Sequence, residues 1–160
     1  MQTFLPYPGF RESALVLDRR RLGKQRVEAL QVLRGLVVPG YGWRHHPAVR
    51  MWAGYEEALV RYGLEICRVW REQGHQDSCA ATLVADLAAT RPHAPVRDQY
   101  VLAAEGELPP WLGDTPFHHS HRSALVRKDP ATYADLFPDV RDDLPYVWPA
   151  SDRPASNRPA

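Results

Sequence analysis

The stretch RRRLGKQRVE at residues 19–28 combines residue types that bind anions with one that can move protons. Five cations stand beside a single carboxylate, Glu28, and no further acid follows before Glu56. Neighbouring positive charge favours the ionised form of a carboxylate, which can then support proton transfer. The alternative is a surface ion pair with Lys24, four residues earlier, which would contribute about 0.2–0.5 kcal/mol.

The cations are unevenly distributed along the chain. Residues 19–55 carry eight cations and one acid, a net charge of +7, whereas residues 56–160 carry eleven cations and sixteen acids, a net charge of −5. Such asymmetry predicts a local anion-binding face, and nucleic acid is the commonest large anion for one. A solvated basic surface is the alternative. The candidate phosphate contacts on this stretch are Arg19, Arg20, Arg21 and Arg26.

Primary amines are scarce in this chain. The only lysines are Lys24 and Lys128, and the α-amine of Met1 is the third amine because the bulky Gln2 should leave Met1 in place. In one class of DNA chemistry an amine attacks the sugar C1′ and passes through a Schiff base. An α-amine, with a reference pKa of about 7.7–8.0 against about 10.4 for lysine, is more often neutral and nucleophilic. The candidate catalytic residues are Glu28, Met1 and Lys24.

Two further segments carry histidines beside cations. The loop PGYGWRHHP at 39–47 offers Trp43, Arg44, His45 and His46, which could stack on a base and hold phosphate. The alternative is core packing for Trp43 and a structural hydrogen bond for one histidine.

In the second segment, FHHSHRSALVRK at 117–128, two histidines and an arginine are spaced so that they share one face of a helix, and two more cations follow at its end. Phosphate contact is the favoured interpretation of this face, and a plain solvated helix is the alternative. A metal site that includes His45 or His46 is a weaker alternative, because no acid or cysteine lies nearby, so no metal and no cofactor is predicted. The residues concerned are His118, His121, Arg122, Arg127 and Lys128.

Bulk features predict a cytoplasmic, nucleoid-associated monomer. Cys67 and Cys79 form neither a metal motif nor a disulfide framework, which favours a reducing compartment. The opening MQTFLPYPGF does not have the pattern of a signal peptide, and no apolar stretch approaches membrane-spanning length. The expected partner of the basic face is nucleic acid, rather than a membrane.

No alternating pattern predicts a strand, so the predicted fold class is all-α. We expect a compact single-domain helical bundle with long ordered loops over residues 1–139, followed by an extended or disordered tail over residues 140–160. Proline, glycine and N-cap signals delimit the elements. The predicted helices are 19–37 after Asp18, 48–73 before Gly74, a third to about Ala89, a turn within 96–104, and 116–128 and 130–137.

Three segments resemble the pyrimidine-dimer DNA glycosylases of the bacteriophage endonuclease V type. LDRRRLGKQRVE (17–28) is similar to their opening helix, with Leu22 six residues before Glu28. AVRMWAGYEEALVRYGLEICRVWREQGH (48–75) resembles their long central helix and its glycine turn. SHRSALVRKDPATYADLF (120–137) looks like their C-terminal helix and the aromatic turn after it. The chain looks like a bacterial branch of that family.

The resemblance implies a metal-free enzyme whose partner is double-stranded DNA that contains a damaged or abasic nucleotide, with pyrimidine dimers as the leading substrate. It implies that the amine of Met1 attacks C1′, releases the base and forms an imine, while Glu28 orients the sugar and supports β-elimination. Basic residues of the first helix would hold a kinked backbone. Two departures stand out: Gln2 should keep Met1 in place, and a proline- and acid-rich tail stands where the phage enzymes have an aromatic, basic one. A non-catalytic DNA-binding protein and a metal-dependent hydrolase are the alternatives.

Overall fold

The computed structural model describes residues 1–91 and 95–155. These residues form eight helices and no strand, so the prediction of an all-α fold is confirmed. Residues 92–94, which lie between the predicted third helix and the predicted turn within 96–104, are outside the described residues, as are residues 156–160 of the predicted tail. The helices are α1 (Phe10–Leu15), α2 (Arg19–Val37), α3 (Pro47–Arg50), α4 (Glu56–Glu72), α5 (Cys79–Ala88), α6 (Gln99–Ala104), α7 (Thr115–Lys128) and α8 (Pro130–Tyr133).

Helix α2 begins where the sequence predicts. The Asp18 side chain accepts hydrogen bonds from the backbone N–H groups of Arg20 and Arg21, at 2.9 and 3.1 Å, as an N-cap residue does. The helix buries an apolar stripe that packs against α4 and α5. It also buries Gln25 and Glu28, two polar residues that need hydrogen-bond partners inside the protein.

The predicted continuous helix over 48–73 is wrong. The chain forms α3, then a turn at residues 51–55, and then α4. Gly54 in that turn has a φ of +76°, where only glycine is unstrained, and a side chain there would collide with Arg153. Gly74, with a φ of +86°, follows the end of α4 as predicted.

Helices α2 and α4 approach each other closely at Gly63. A Cβ atom at this position would lie 2.7 Å from the Leu83 side chain of α5 and 3.2 Å from the Cβ of Ala29, both tighter than normal packing. The missing side chain therefore allows the close approach and places α4 against the part of α2 that carries Glu28.

The other elements follow the predictions in outline. Helices α5, α6 and α7 lie within the predicted ranges or one residue beyond them, whereas the predicted 130–137 helix is shorter, ending at Tyr133, with turns after it. Helix α1 was not predicted, because its N-cap residue, Gly9, has no side chain that could signal a helix start.

The described part of the tail runs across α7 without regular structure. The backbone N–H groups of Leu144 and Val147 donate to the hydroxyls of Ser123 and Ser120, at 3.0 and 3.1 Å. Further along, the Tyr55 hydroxyl donates to Asp152 at 2.7 Å. These bonds hold an extended segment against the helical domain. Across the described ranges, no helix combines the length and apolarity needed to cross a membrane.

Candidate active site

A cleft of about 420 Å³ opens between the start of the chain, α2, the end of α7 and the tail. The three residues of the chain that carry a primary amine all line it, although they are far apart in sequence. It is strongly cationic and contains one carboxylate. The charged groups in its lining are Met1, Lys24, Lys128, Arg20, Arg21 and Glu28.

Glu28 is 7% exposed and is the carboxylate of this cleft. The amide nitrogen of Gln25, one turn earlier on α2, donates to Glu28 Oε2 at 2.6 Å. Lys24 Nζ lies 3.5 Å from Glu28 Oε1, but its side chain is 71% exposed, so the pair stabilises the fold little. The helix thus presents the carboxylate to the cleft with one oxygen fixed by Gln25.

Gln25 connects the carboxylate to the start of the chain. Its Oε1 accepts from the Phe4 N–H at 2.8 Å and from the Tyr62 hydroxyl at 2.6 Å. Its Nε2 donates to the Gln2 carbonyl at 2.9 Å as well as to Glu28. Sequence reasoning missed Gln25, although a glutamine between Leu22 and Ala29 on the apolar stripe was a signal that could have identified it.

The N-terminal segment, residues 2–6, is also held by α7. The Leu5 N–H donates to His121 Nδ1 at 3.0 Å, and His118 Nδ1 donates to the Leu5 carbonyl at 2.8 Å. Arg122 Nε donates to the Pro6 carbonyl at 2.7 Å. The interpretation of His118 and His121 as phosphate contacts is therefore replaced: they are 3% and 0% exposed and bind the chain's own backbone.

We expect the two buried histidines to make the protein sensitive to acid. Burial lowers the pKa of His121 to about 3 and also lowers the pKa of His118. Between pH 6.5, the usual histidine pKa, and about 3, the unfolded chain binds protons that the folded protein excludes, so the free energy of unfolding should fall as the pH is lowered. Urea unfolding at a series of pH values measures this free energy. His121→Asn has no imidazole at position 121 to take up a proton, so the difference in unfolding free energy between wild type and variant should become smaller in acid. A difference that stays constant with pH would contradict the lowered pKa of His121.

Of the four α2 arginines predicted to contact DNA, two are exposed and two form ion pairs within the fold. Arg19 and Arg20 are exposed, and neither has an ion pair within the described ranges. Arg21 pairs with Asp18 at 2.6 Å while still lining the cleft. Arg26 pairs with Asp77 at 2.6 Å and lies 4.3 Å from the Trp70 ring centre, so it is occupied within the fold.

The ends of α7 and the tail also contribute. Arg127 Nη1 donates to the carbonyls of Asp142 and Leu144, which engages Arg127 in holding the tail. Lys128 is exposed and reaches the cleft. The tail adds Tyr146 to the cleft lining, a residue that the proline- and acid-rich composition concealed.

The aromatic loop lies beside the cleft. Trp43 is 51% exposed, and Arg44 and His45 are exposed as well. The His46 ring stands between Trp43 and Trp148, with ring centres 5.8 and 5.9 Å away. Burial lowers the pKa of His46, the positive α-amine lowers it further, and Glu28 opposes both, so the two cleft groups act on one imidazole.

The described histidines do not assemble a metal centre. Within residues 1–91 and 95–155, no three His, Cys, Asp or Glu side chains are grouped to hold an ion. His118 uses both ring nitrogens, one with Leu5 and the other with the Gly113 N–H at 2.9 Å. The alternative of a metal-dependent hydrolase built on His45, His46, His118 and His121 therefore has no ligand set in the described residues.

The fold and the cleft together define a class: a small helical protein with a cationic cleft that holds amines and one buried carboxylate. A family model described as pyrimidine dimer DNA glycosylase matches residues 1–83, and the chain belongs to this family. The matched part contains Met1, Lys24 and Glu28, whereas α7 and the tail lie beyond it. No curated protein and no solved structure matches the chain.

Proposed function

We propose that the protein is a DNA glycosylase with abasic-site lyase activity, which acts on damaged pyrimidines in duplex DNA through a Schiff base. Family membership supports glycosylase activity on pyrimidine dimers. The observation that carries the mechanism is that Met1, which bears the α-amine, and Glu28 line one cleft. A nucleophilic amine beside a proton-accepting group in a cationic cleft is the arrangement that this chemistry needs.

In the first step the neutral amine of Met1 attacks C1′ of the damaged nucleotide. The C1′–N bond to the base breaks, and the base leaves with the bonding electrons and takes up one proton released by the amine. The C1′–O4′ bond then breaks as the nitrogen lone pair forms the C=N bond, and the ring oxygen takes up the second amine proton, which leaves an imine on the opened sugar. Glu28 faces the developing positive charge on nitrogen and C1′, which it stabilises electrostatically. Gln25 holds the carboxylate in place for this role.

In the second step the imine makes the C2′ proton acidic. Glu28 assists removal of that proton, the C3′–O bond breaks, and the 3′ phosphate leaves with the electron pair. Hydrolysis of the resulting conjugated imine returns the free amine. One carboxylate can serve both steps because its charge is needed in the first and its basicity in the second.

Met1 is favoured over Lys24 as the nucleophile. A terminal amine has a lower reference pKa than a lysine, so a larger fraction is neutral near pH 7. Lys24 stands 3.5 Å from Glu28, where its charge pairs with the carboxylate. Lys128 is an exposed residue at the end of α7 that lines the cleft, where a phosphate contact suits it.

The DNA contacts follow from the exposed groups. Arg19, Arg20 and Lys128 are exposed cations at or beside the cleft and would hold phosphates. Trp43 and Trp148, 51% and 38% exposed, flank His46 and could stack on unpaired bases. Their position beside the cleft supports an extrahelical nucleotide as the reacting species.

Borohydride trapping tests the proposal. Wild-type protein incubated with an abasic-site duplex and borohydride should form a covalent adduct of protein and DNA, because borohydride reduces the imine to a stable amine. Absence of an adduct on abasic and dimer-containing duplexes, with tight and salt-sensitive binding retained, would instead identify a non-catalytic DNA-binding protein.

We expect duplex affinity to fall steeply with salt, with a log–log slope of about −0.9 for each phosphate contact. Arg20→Gln should make the slope shallower by about 0.9 on every duplex, since a phosphate contact carries no sequence information. Titrations at several salt concentrations measure it. Arg68→Gln is the matched control, because Arg68 pairs with Glu72 at 3.2 Å and does not line the cleft. An unchanged slope for Arg20→Gln would remove Arg20 from the interface.

A further inference from the structure

We propose that His118 and His121 are positioning residues for the reacting amine: they fix the backbone of Leu5 and so set where the Met1 nitrogen stands in the cleft. The inference rests on the proposed function, because it assumes that the amine of Met1 reacts. Both histidines lie outside the part of the chain matched by the family model, residues 1–83.

Side chains from three helices hold the N-terminal segment, which has no strand beside it in the described residues. Gln25 of α2 binds the Gln2 carbonyl and the Phe4 N–H. The Tyr62 hydroxyl of α4 lies 3.0 Å from the Phe4 carbonyl. The two histidines of α7 complete the set at Leu5. Because side chains, and not a neighbouring strand, bind the backbone of this segment, its position depends on those individual side chains.

The two histidines hold Leu5 through opposite tautomers. His121 accepts from the Leu5 N–H through Nδ1, so its proton is on Nε2. His118 donates from Nδ1 to the Leu5 carbonyl, so its Nε2 accepts from Gly113. One ring recognises the N–H and the other recognises the carbonyl of the same residue. A shift of the segment by one residue would mismatch both bonds, so the pair sets the register of the chain start.

Stability alone does not account for His121. Its side chain is fully buried, yet its Nε2 has no hydrogen-bond partner within the described residues. A buried unpaired N–H group costs about 1–3 kcal/mol. The imidazole therefore places the Leu5 N–H at the expense of some stability, which is the pattern expected of a residue that serves position.

The distance from Leu5 to the amine is short. Only three residues separate Leu5 from Met1, at about 3.3 Å each along the chain, and Gln25 fixes the segment midway. A displacement of the Leu5 backbone would therefore also displace the Met1 nitrogen. Misplacing a reacting group by about 1 Å can lower a rate about 10²-fold.

The experiment compares three replacements of His121 in the full chain. Asn places a polar atom where Nδ1 stands, Leu has the shape of Asn without the acceptor, and Gln places its polar group near the Nε2 position instead. The measured quantities are the single-turnover rate of borohydride trapping at saturating abasic duplex, the Kd for that duplex, and the urea midpoint. We expect His121→Leu and His121→Gln to trap about 10²-fold more slowly with unchanged Kd, and His121→Asn to remain within a few-fold of wild type.

The same comparison applies to His118, where Asn keeps a donor for the Leu5 carbonyl and Leu does not. Equal trapping rates for Asn, Gln and Leu at position 121 would overturn the inference. If His121→Leu does not fold, the comparison of Asn with Gln decides alone. A wild-type protein that gives no adduct would overturn the proposed function, which is a different result from rapid trapping by every variant.

Discussion

Blocking the α-amine of Met1 by acetylation should reduce the borohydride-trapped adduct on abasic duplex to below detection. An acetylated nitrogen has no nucleophilic lone pair, so neither base release through an imine nor strand cleavage can begin. Gel separation of the trapped complex measures the effect. Binding to the duplex should change little, because the exposed arginines at and beside the cleft are untouched by acetylation at the terminus.

The chain offers a matched control for this experiment. Its only side-chain amines, Lys24 and Lys128, also line the cleft, so an adduct through either must be distinguished from one through Met1. The double variant Lys24→Arg/Lys128→Arg keeps both charges, leaves the terminus as the sole primary amine, and also removes both lysines from acetylation. It should still form the adduct. Loss of the adduct in this variant, with retention after selective acetylation of the terminus, would assign the reaction to a lysine.

Replacing Glu28 with Gln should lower turnover about 10²–10⁴-fold, the range contributed by a positioned acid–base group, and should spare DNA binding. The substitution keeps the shape of the side chain and an oxygen that can accept from Gln25, so the hydrogen bond at 2.6 Å has a replacement. Single-turnover cleavage of an abasic duplex and Kd for the same duplex are the two measurements.

Glu12→Gln is the control for the loss of one carboxylate, since Glu12 is exposed on α1 and does not line the cleft. It should cleave at the wild-type rate. A Glu28→Gln variant that cleaves normally would show that the carboxylate is structural. A variant that loses binding and turnover in equal proportion would instead indicate that Glu28 holds the DNA-binding surface together.

Local signals in the sequence identified much of the helical framework. The Asp18 cap, the Gly74 stop and the proline starts of α7 and α8 depend on bonds within a few residues, which sequence patterns encode directly. The neighbouring positions of Lys24 and Glu28 followed from helical spacing alone. The break between α3 and α4 did not, because an isolated glycine such as Gly54 is compatible with a helix as well as with a turn.

The interpretations that failed concerned contacts between distant parts of the chain. His118 and His121 were placed on a phosphate-binding face because three polar residues at helical spacing indicate a face without showing what covers it. Their partner, Leu5, lies more than a hundred positions earlier. Tyr146 and Trp148 were missed for the same reason: the tail's composition predicts extended chain, while Ser120 and Ser123 decide where it lies.

The absent side chain at Gly63 links the packing of the helices to the position of Glu28, although Gly63 does not line the cleft. A Cβ atom there would lie 2.7 Å from the Leu83 side chain and 3.2 Å from the Cβ of Ala29, the residue next to Glu28. The Leu83 side chain can rotate away, whereas the contact with Ala29 can be relieved only by a shift of α2 relative to α4. On the proposed mechanism, such a shift would displace the carboxylate in the cleft, so we expect the spacing of two helices to bear on the reaction rate.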